Sequence, residues 1–460
     1  MDQNQTTDVT GQPSYDFQNQ DINGTKSAKG KILSLIIGIV VVLFVVLLSV
    51  IFILPRLKPS APKNVTLIYW GIWKDSAVMN DIISDFERTH PNIHVQYEKQ
   101  DIKSLGKYYD RLTTRIKNGT GPDLFRFHNS WSTELRNYLL PLPDSVVKAT
   151  ELDTKYFPVV KSDLKMRGAY YGIPIHFDTL ALFINKKLLS DASSYPTTWE
   201  DFVKIATAIS VPDPTTKKIV TAGAAIGTFD NVAHSSDIIS LLLAQRNGDL
   251  ADLGGPKRNI TEEVLGFYTA LSKDQKLWDD TLDNSRLAFV KGNLAMYFGY
   301  SWDIFDFKDP KYNLDFAVVP VPHLVGSNKT IASYWVEGVS AGSKHPKEAL
   351  EFLQFLASPG TLQKLYAKES KQRLFGELYP RTDLAQLLET NPLLAPFIDQ
   401  GPGAVSTPFS SDTHDDAMVD SLNVYLGNSV RSIVSDNMSP ISAVDTLGQG
   451  VKSVFTQYGQ

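Results

Sequence analysis

Strand-like and helix-like segments alternate between Val65 and Phe127, and this alternation restricts the fold to a few architectures. The segments are strand-like at residues 65–70, helical at 78–86, strand-like at 93–97, helical at 105–116 and strand-like at 124–127. A β-α-β-α-β order favours a mainly parallel sheet whose ligands bind beyond the carboxyl ends of the strands. We therefore expect the loops after residues 70 and 127 to share one edge of that sheet.

The chain is long enough to form two lobes. Its 460 residues, 43% of them hydrophobic, exceed the length at which a single hydrophobic core stops growing. Within residues 168–189, Pro174 forbids a helix interior, and the apolar strand that follows contains β-branched and aromatic residues. This pattern predicts that the chain passes from one α/β lobe to another near Ile175, with Asp178 just past the crossing.

An uncharged apolar run covers residues 32–54 and is interrupted only by Ser34, Gly38 and Ser49. At about 1.5 Å per residue it reaches the roughly 30 Å that a bilayer core requires. A cleaved signal peptide would have a shorter apolar core followed by small residues, whereas prolines and basic residues follow here. We interpret the run as a single membrane-spanning anchor. Because basic residues flank both of its ends, the orientation rests on the fold rather than on charge.

Composition excludes several classes of protein. The formal net charge is -5, and the basic residues are scattered, which argues against a nucleic-acid partner. The absence of cysteine excludes disulfides, thiolate metal sites and a lipidated N-terminal cysteine.

The sequence offers little for catalysis. It contains no HExxH, P-loop or dinucleotide fingerprint, and we expect no enzyme and no cofactor. A glycosidase needs two carboxylates about 5 to 10 Å apart, and Asp178 with Glu337 is one pair that sequence alone leaves open.

Short motifs in a fixed order resemble those of one known family. They are FERTHP at residues 86–91, GTGPD at 119–123, YGIP at 171–174, PTTW at 196–199, FVKGNLAM at 289–296 and SKHPKEALEFLQF at 343–355. Their order resembles that of the extracellular solute-binding proteins of carbohydrate ABC importers, the maltose-binding-protein-like group, over residues 65–381. This resemblance implies a two-lobed type II binding fold that closes on a sugar by a hinge and docks on ABC permease subunits.

The resemblance also implies where the chain crosses between lobes, namely near residues 175, 319 and 343. The expected organisation is a disordered tail at 1–31, a transmembrane anchor at 32–54, a linker at 55–64, lobe 1 at 65–175 and 320–343, and lobe 2 at 176–319 and 344–460. Relatives are commonly free in the periplasm or tethered by a lipid on cysteine. Here a transmembrane helix would take the place of that lipid and keep the folded part extracellular or periplasmic.

Aromatic and polar side chains are expected around the cleft. Five of the seven tryptophans fall in or beside loops at its edge: Trp70, Trp73, Trp131, Trp302 and Trp335. An indole face suits the C–H face of a sugar ring, whereas carboxylates and amides suit its hydroxyls. By the resemblance and the loop positions, the further candidate ligand contacts are Asp75, Phe127, Asn129, Asp178, Phe229, Asp230 and Glu337.

Other interpretations stay open at this stage. The large aromatics would also suit the interior of the protein, and Asp75 would also suit a helix cap. Carboxylates between aromatic rings are suited to a polyamine as well as to a sugar, and a surface receptor or adhesin without a transporter is a third alternative. We expect no metal site: the residues Asp412, His414, Asp415 and Asp416 are interpreted as a charged helix start.

Overall fold

A computed structural model describes residues 28–57, 64–100 and 104–459, with side chains left out at 28–32 and 53–57. The chain divides into two compact units, one up to Lys63 and one from Asn64 onward. The predicted disordered tail lies outside the described residues up to residue 27, whereas residues 28–31 are helical.

Between residues 65 and 128 the strands and helices follow the predicted alternation. The strands are β1 Val65–Gly71, β2 Ile93–Lys99, β3 Leu124–His128, β4 Lys165–Met166, β5 Ala169–Tyr170, β6 Ile173–Pro174, β7 Ala181–Asn185, β8 Val211–Pro212, β9 Ile219–Ala224, β10 Leu294–Gly299, β11 Phe316–Val319, β12 Thr330–Ile331, β13 Trp335–Val339 and β14 Ala404–Val405. The helices are α1 Ala28–Leu57, α2 Ser76–Thr89, α3 Leu105–Lys117, α4 Ser132–Leu135, α5 Ala149–Lys155, α6 Pro158–Leu164, α7 Trp199–Ile209, α8 Ser235–Gln245, α9 Arg258–Lys273, α10 Ser285–Val290, α11 Asp303–Phe307, α12 Pro346–Leu356, α13 Pro359–Glu369, α14 Thr382–Ala385, α15 Ala395–Asp399, α16 Met418–Val434 and α17 Pro440–Gln457.

Helix α1 belongs to the first unit. Its stretch Leu33–Phe52 has a mean hydropathy of 3.5, and among the described residues it is the one helix long and apolar enough to cross a membrane. The helix continues to Leu57, so the predicted linker begins inside its last turn. A proline such as Pro55 removes one backbone donor but does not prevent the residues after it from being helical.

The first five-stranded sheet has the strand order β2-β1-β3-β13-β6. Strands β1, β2 and β3 are parallel, as predicted, whereas β13 is antiparallel to both β3 and β6. Helix α2 begins at the cap Asp75, whose side chain accepts from the N–H groups of Ala77 and Val78. One face of α2 then buries Val78, Met79, Ile82, Ile83 and Phe86, which is the amphipathic pattern of a helix packed on a sheet.

The second five-stranded sheet has the strand order β11-β7-β10-β9-β8. Only β10 and β9 are parallel; β7 pairs antiparallel with both β10 and β11. The carboxyl end of β10 leads into the loop that carries Trp302, the residue directly before α11. The two sheets form the cores of the first and second lobes.

The division of the chain between the lobes stays a prediction as a whole, but packing revises one part of it. The first crossing lies between β6 and β7, and the second between β11 and β13. Helices α12 and α13 pack against β13 and α2. Residues 346–369 therefore lie with the first sheet, although we expected residues 344–460 in lobe 2. The third crossing follows Glu369 rather than Ser343.

A fully buried ion pair lies in the middle of the first sheet. Arg126 and Glu337 are directly opposed on β3 and β13, and Arg126 Nε donates to Glu337 Oε1 at 2.7 Å. Both side chains have no exposed surface. Desolvation makes such a pair a poor source of stability, but removing one partner leaves the other charge buried and uncompensated.

We predict that Glu337→Gln lowers the stability of the folded part by about 3 kcal/mol, because the Arg126 guanidinium loses its hydrogen-bonded counter-ion and keeps only Glu377, at 3.7 Å. Thermal unfolding of wild type and variant measures this effect. The exposed pair Lys186–Asp315 supplies the control, since Asp315→Asn should change stability by less than about 1 kcal/mol. Equal melting temperatures for Glu337→Gln and wild type would contradict the prediction.

Candidate functional site

The chain segments that pass between the sheets are hydrogen-bonded to one another at residues 177–179. The Phe177 N–H donates to Leu378 O at 2.9 Å, and the Ser333 N–H donates to Asp178 O at 3.1 Å. Thr179 forms an antiparallel bridge with Ala332. All three crossings therefore meet at this point, just past the predicted crossing at Ile175.

The Asp178 side chain joins this meeting point to the second lobe. One oxygen accepts from the Thr179 N–H at 2.8 Å, and the other accepts from the Ser301 N–H at 3.0 Å and from the Ser301 hydroxyl. Burial outweighs these hydrogen bonds and raises the pKa of Asp178 to about 8. Both of its oxygens are engaged within the protein, so Asp178 has a structural role at the crossing.

An aromatic cluster lies on the first-lobe side of the crossing and consists of Trp73, His128, Trp131 and Trp335. The Trp335 ring meets Trp131 at 5.4 Å and 90°, His128 at 5.1 Å and 71°, and Trp73 at 6.3 Å and 71°. These edge-to-face arrangements are the favoured geometry for aromatic pairs. Trp131 is fully buried, whereas Trp73 is 51% exposed, so Trp73 presents the surface of the cluster to solvent.

A polar network continues from the aromatic cluster into the second lobe and consists of Ser333, Asp412, His234, Ser411, Asp237 and Tyr300. The first steps run from His128 Nε2 to Ser333 Oγ at 3.0 Å and from Ser333 Oγ to Asp412 Oδ2 at 3.2 Å. Asp412 Oδ1 is 3.9 Å from His234 Nδ1. The network therefore connects the crossing segment of Ser333 to helix α8 through the segment that precedes α16.

The far end of the network carries a second aromatic surface. His234 Nδ1 is 2.8 Å from Ser411 Oγ, and the Ser411 hydroxyl donates to Asp237. The Tyr300 hydroxyl donates to Asp237 Oδ2 at 3.1 Å. Trp302 is stacked on the Tyr300 ring at 4.4 Å and 17° and is half-buried. Indole surfaces thus lie at both ends of one continuous network.

His234 is the cationic centre of this network. Burial alone lowers its pKa, but Tyr297, Asp237 and Asp412 outweigh that effect and raise the pKa to about 9. Its Nδ1 is 3.7 Å from Asp237, and its Nε2 is 3.4 Å from Asp303. The ring is therefore an imidazolium near neutral pH. In contrast, burial lowers the pKa of His128 to about 3, so His128 is neutral.

The His234 cluster also has the residue types of a metal site. His234, Asp237 and Asp412 offer ligand atoms within 4.8 Å of one another. However, Asp237 already accepts from the Ser411 N–H, the Ser411 hydroxyl and the Tyr300 hydroxyl. The His234 imidazolium balances the charge of the nearby carboxylates, and the donors of Ser411 and Tyr300 satisfy Asp237. We therefore assign no metal here.

The acidic residues next along the chain do form a helix start, as the sequence indicated. Asp415 accepts from the N–H groups of Ala417, Val419 and Asp420 at the beginning of α16. Asp412 alone of the four residues joins the polar network.

Three predicted ligand contacts lie inside the first lobe instead. Trp70 is buried on β1, where its Nε1–H donates to Glu98 and Arg111 covers its ring at 5.4 Å. Phe127 is fully buried in β3, and Glu337 is paired with Arg126. The loops after residues 70 and 127 do meet, through Trp73 and Trp131 on Trp335. However, strand residues alternate between faces, and these three side chains belong to the packed faces.

Four other candidates have partners of their own. Asp75 is the cap of α2. Asn129 donates to Ser406 at 2.8 Å and accepts from the Tyr334 N–H at 3.0 Å, which ties it to the interior. Asp230 pairs with Arg431 at 2.6 Å, and the Arg431 guanidinium lies 6.0 Å from the Phe229 ring. The loop of Phe229 and Asp230 therefore packs against α16 rather than on the polar network.

Sequence reasoning missed most of the polar network. His128 directly follows Phe127 at the carboxyl end of β3, where a ligand-facing residue is expected. His234 and Asp237 begin a helix that follows such a strand end. No sequence pattern identifies Ser333 and Ser411, because only the fold brings them beside Asp412.

We predict that the stability of the folded part falls between about pH 6.5 and pH 9, partly through His234. Its pKa is raised from the ordinary 6.5 to about 9 in the folded state. Protonation therefore stabilises the fold fully below about 6.5, and this contribution is lost as the pH rises through 9. Melting temperatures across this range should decline less steeply in His234→Gln.

Asp178, whose pKa is also raised, contributes a decline in the same direction to both proteins. The informative quantity is therefore the difference between the two curves. Parallel curves for wild type and His234→Gln would contradict the assigned imidazolium.

Comparisons with known proteins agree with this architecture. The model of the family described as "bacterial extracellular solute-binding protein" matches residues 71–363. The multiple sugar-binding protein of Streptococcus mutans serotype c is 24% identical over 329 residues, which cover 68% of this chain and 75% of that protein. The maltotriose-binding protein of Pyrococcus abyssi is 23% identical over 303 residues, which cover 63% of this chain and 61% of that protein.

A solved structure, the cyclo/maltodextrin-binding protein complexed with maltotetraose, has a TM-score of 0.68 at 21% identity and covers 87% of this chain and 100% of that one. This likeness confirms the predicted two-lobed fold. The family resemblance inferred from the motifs is confirmed as well: the chain belongs to the bacterial extracellular solute-binding proteins.

Proposed function

We propose that this protein captures a mono- or oligosaccharide outside the cell by closure of its two lobes and delivers it to the permease of an ABC transporter. The observation that supports this most is the pair of accessible indoles, Trp73 on the first lobe and Trp302 on the second, at opposite ends of one polar network. A sugar ring has apolar C–H faces and a polar edge. Two indole surfaces separated by carboxylates, hydroxyls and imidazoles match both features.

The proposed contacts are fewer than those expected from the sequence and partly different. Trp73, Trp302 and Trp335 would supply the aromatic surfaces. Asp412 would accept from sugar hydroxyls, since its side chain is 21% exposed and lies in the middle of the network.

The names of the relatives support a carbohydrate over other solutes. Two of them are named for multiple sugars and for maltotriose, and the solved structure contains maltotetraose. At the identities found, these names do not transfer one particular sugar to this chain. The proposed ligand class is therefore saccharide, without a chain length.

Capture rather than bond cleavage fits the arrangement of carboxylates. The pair that sequence left open as a glycosidase dyad is engaged elsewhere, Glu337 with Arg126 and Asp178 with Ser301. In a binding cycle, the ligand favours the closed state only through contacts that the open state lacks. Contacts from Trp73 and Trp302 on different lobes have this property.

We also propose that α1 anchors the protein in the cell membrane. Its stretch Leu33–Phe52 is apolar throughout, and the absence of cysteine rules out a lipid on an N-terminal cysteine. The anchor would hold the folded part near the permease and so raise its local concentration there.

We predict that Trp73→Ala and Trp302→Ala each weaken sugar binding about tenfold or more, which corresponds to about 1.4 kcal/mol per tenfold. Each variant removes an indole surface that packs on the sugar ring. Isothermal titration with a panel that includes maltotriose measures the change. Phe267→Ala is the matched control, because Phe267 is an accessible aromatic on the second lobe outside the polar network.

The same titration separates the alternative ligands. Binding of spermidine with no binding of any saccharide would favour a polyamine, whose ammonium groups also suit carboxylates between rings. Unchanged sugar affinity in the Trp73→Ala and Trp302→Ala double variant would exclude both indoles from the site. Sugar binding without any stimulation of uptake would favour a receptor without a transporter.

We predict that the full chain floats with membrane vesicles in a density gradient, whereas a chain that starts at Asn64 stays in the soluble fraction. The reason is the free energy of burying the apolar stretch of α1 in lipid.

Protease added outside the cells should digest the folded part. A mature chain whose N-terminus lies beyond residue 54 would instead identify α1 as a cleaved signal.

A further inference from the structure

The backbone of Trp73 has a conformation that bulky residues rarely adopt. Its φ is +67°, and the Lys74 N–H donates to Ile72 O at 2.8 Å. A hydrogen bond from residue i+2 to residue i around a central residue with positive φ defines the strained form of the γ-turn. Such strain persists only where the surrounding structure holds it, and it is concentrated at functional sites.

Polar side chains bind the backbone carbonyl groups of the residues before and after Trp73. Ile72 O also accepts from Arg126 Nη1 at 3.1 Å. Lys74 O accepts from the Tyr97 hydroxyl at 3.2 Å. The turn is thus fastened on either side of Trp73, while the Trp73 ring itself is half exposed.

The Lys74 side chain holds the turn through buried ion pairs. Lys74 is 4% exposed, and its Nζ donates to Glu369 Oε1 at 2.7 Å and also to Glu377. Glu369 Oε2 in turn accepts from the Glu377 N–H at 2.8 Å and from Arg373 at 2.9 Å. Residues 369–377 therefore fold around the ammonium group that follows Trp73.

The same Glu377 carboxylate also lies near His176, which is hydrogen-bonded to the backbone of the second tryptophan, Trp335. Its Oε2 is 3.6 Å from His176 Nδ1, and His176 Nε2 accepts from the Trp335 N–H at 3.2 Å. Burial lowers the pKa of His176 to about 3, so the ring is neutral. Because Nε2 accepts a hydrogen bond, the ring proton is on Nδ1, which lies near Glu377 but forms no hydrogen bond with it.

We propose that Glu377, together with Lys74 and His176, is a positioning residue that holds Trp73 and Trp335 in the mutual orientation needed for ligand. Glu377 contacts Lys74 and His176, and its Oε1 lies 3.7 Å from Arg126 Nη1. A buried group of charges is a weak source of stability but a specific way to set one geometry. This inference rests on the proposed function for its ligand, while its structural part concerns the two tryptophans alone.

The first test follows the tryptophans without any sugar. The full chain in detergent micelles is labelled with 5-fluorotryptophan, and its seven tryptophans are assigned in the fluorine NMR spectrum by single Trp→Phe variants. In Glu377→Gln we expect the Trp73 and Trp335 signals to shift or broaden, while the signals of Trp199 and Trp278 in the second lobe stay in place. Unchanged Trp73 and Trp335 signals would overturn the proposal.

Affinity then links the geometry to binding. Maltotriose, or the best ligand of the saccharide panel, should bind Glu377→Gln at least about fivefold more weakly than wild type. In a Trp73→Ala background the same change should have a clearly smaller effect, since one of the two positioned rings is already absent. Glu377→Asp should restore part of the loss. Glu263→Gln, which breaks the surface pair with Arg246, is the control and should change neither spectrum nor affinity.

The strain itself gives a readout that does not depend on Glu377 variants folding. Glycine adopts positive φ freely, so Trp73→Gly should melt at a higher temperature than Trp73→Ala. A lower melting temperature for Trp73→Gly than for Trp73→Ala would show that the turn is not held in a strained state and would overturn the proposal, because only the greater freedom of glycine in the unfolded chain would then be seen. If fluorine spectra and melting behave as expected but wild type binds no saccharide, the proposed function fails and the positioning of the indoles stands.

Discussion

The hydrogen bonds at residues 177–179 are the connection on which the two-lobed arrangement depends. Each crossing segment reaches this point: residue 177 pairs with Leu378, residue 178 with Ser333 and residue 179 with Ala332. The Asp178 carboxyl then reaches Ser301 in the second lobe. A change in the angle between the lobes would alter the chain at these few backbone groups, since a hydrogen-bonded five-stranded sheet lies on either side of them.

The two lobes present their aromatic surfaces by different physical means. In the first lobe, charges buried beneath the surface hold Trp73 and Trp335: Lys74 and Arg126 are matched by Glu337, Glu369 and Glu377. In the second lobe, Trp302 is stacked on Tyr300, whose hydroxyl is held by Asp237 in the His234 network. Both arrangements place costly buried charges next to the region that we assign to ligand, where a defined geometry matters more than stability.

Much of the local structure could be predicted from the sequence. Asp75 and Thr198 cap their helices through side-chain hydrogen bonds, and the prolines at 346, 359 and 440 each open one, because these features depend on neighbours within one turn. The parallel pairing of β1, β2 and β3 followed from their order. The candidate site was predicted less well: Trp73, Trp131 and Trp335 do meet in one cluster, yet Trp70, Phe127 and Glu337 are turned into the first lobe.

Sequence alone determined the order of strands and helices, the apolar helix near the N-terminus, the family and the edge of the sheet on which ligand residues should lie, because each of these is written in local periodicity or in short motifs. Tertiary structure alone decided which side chains meet. Ser333, His234 and Asp412 are far apart in the chain, and Trp73 is presented by a turn whose support comes from Glu369 and Glu377. Contacts of this kind depend on how separate segments pack, and packing is a property of the assembled lobes rather than of any one stretch of residues.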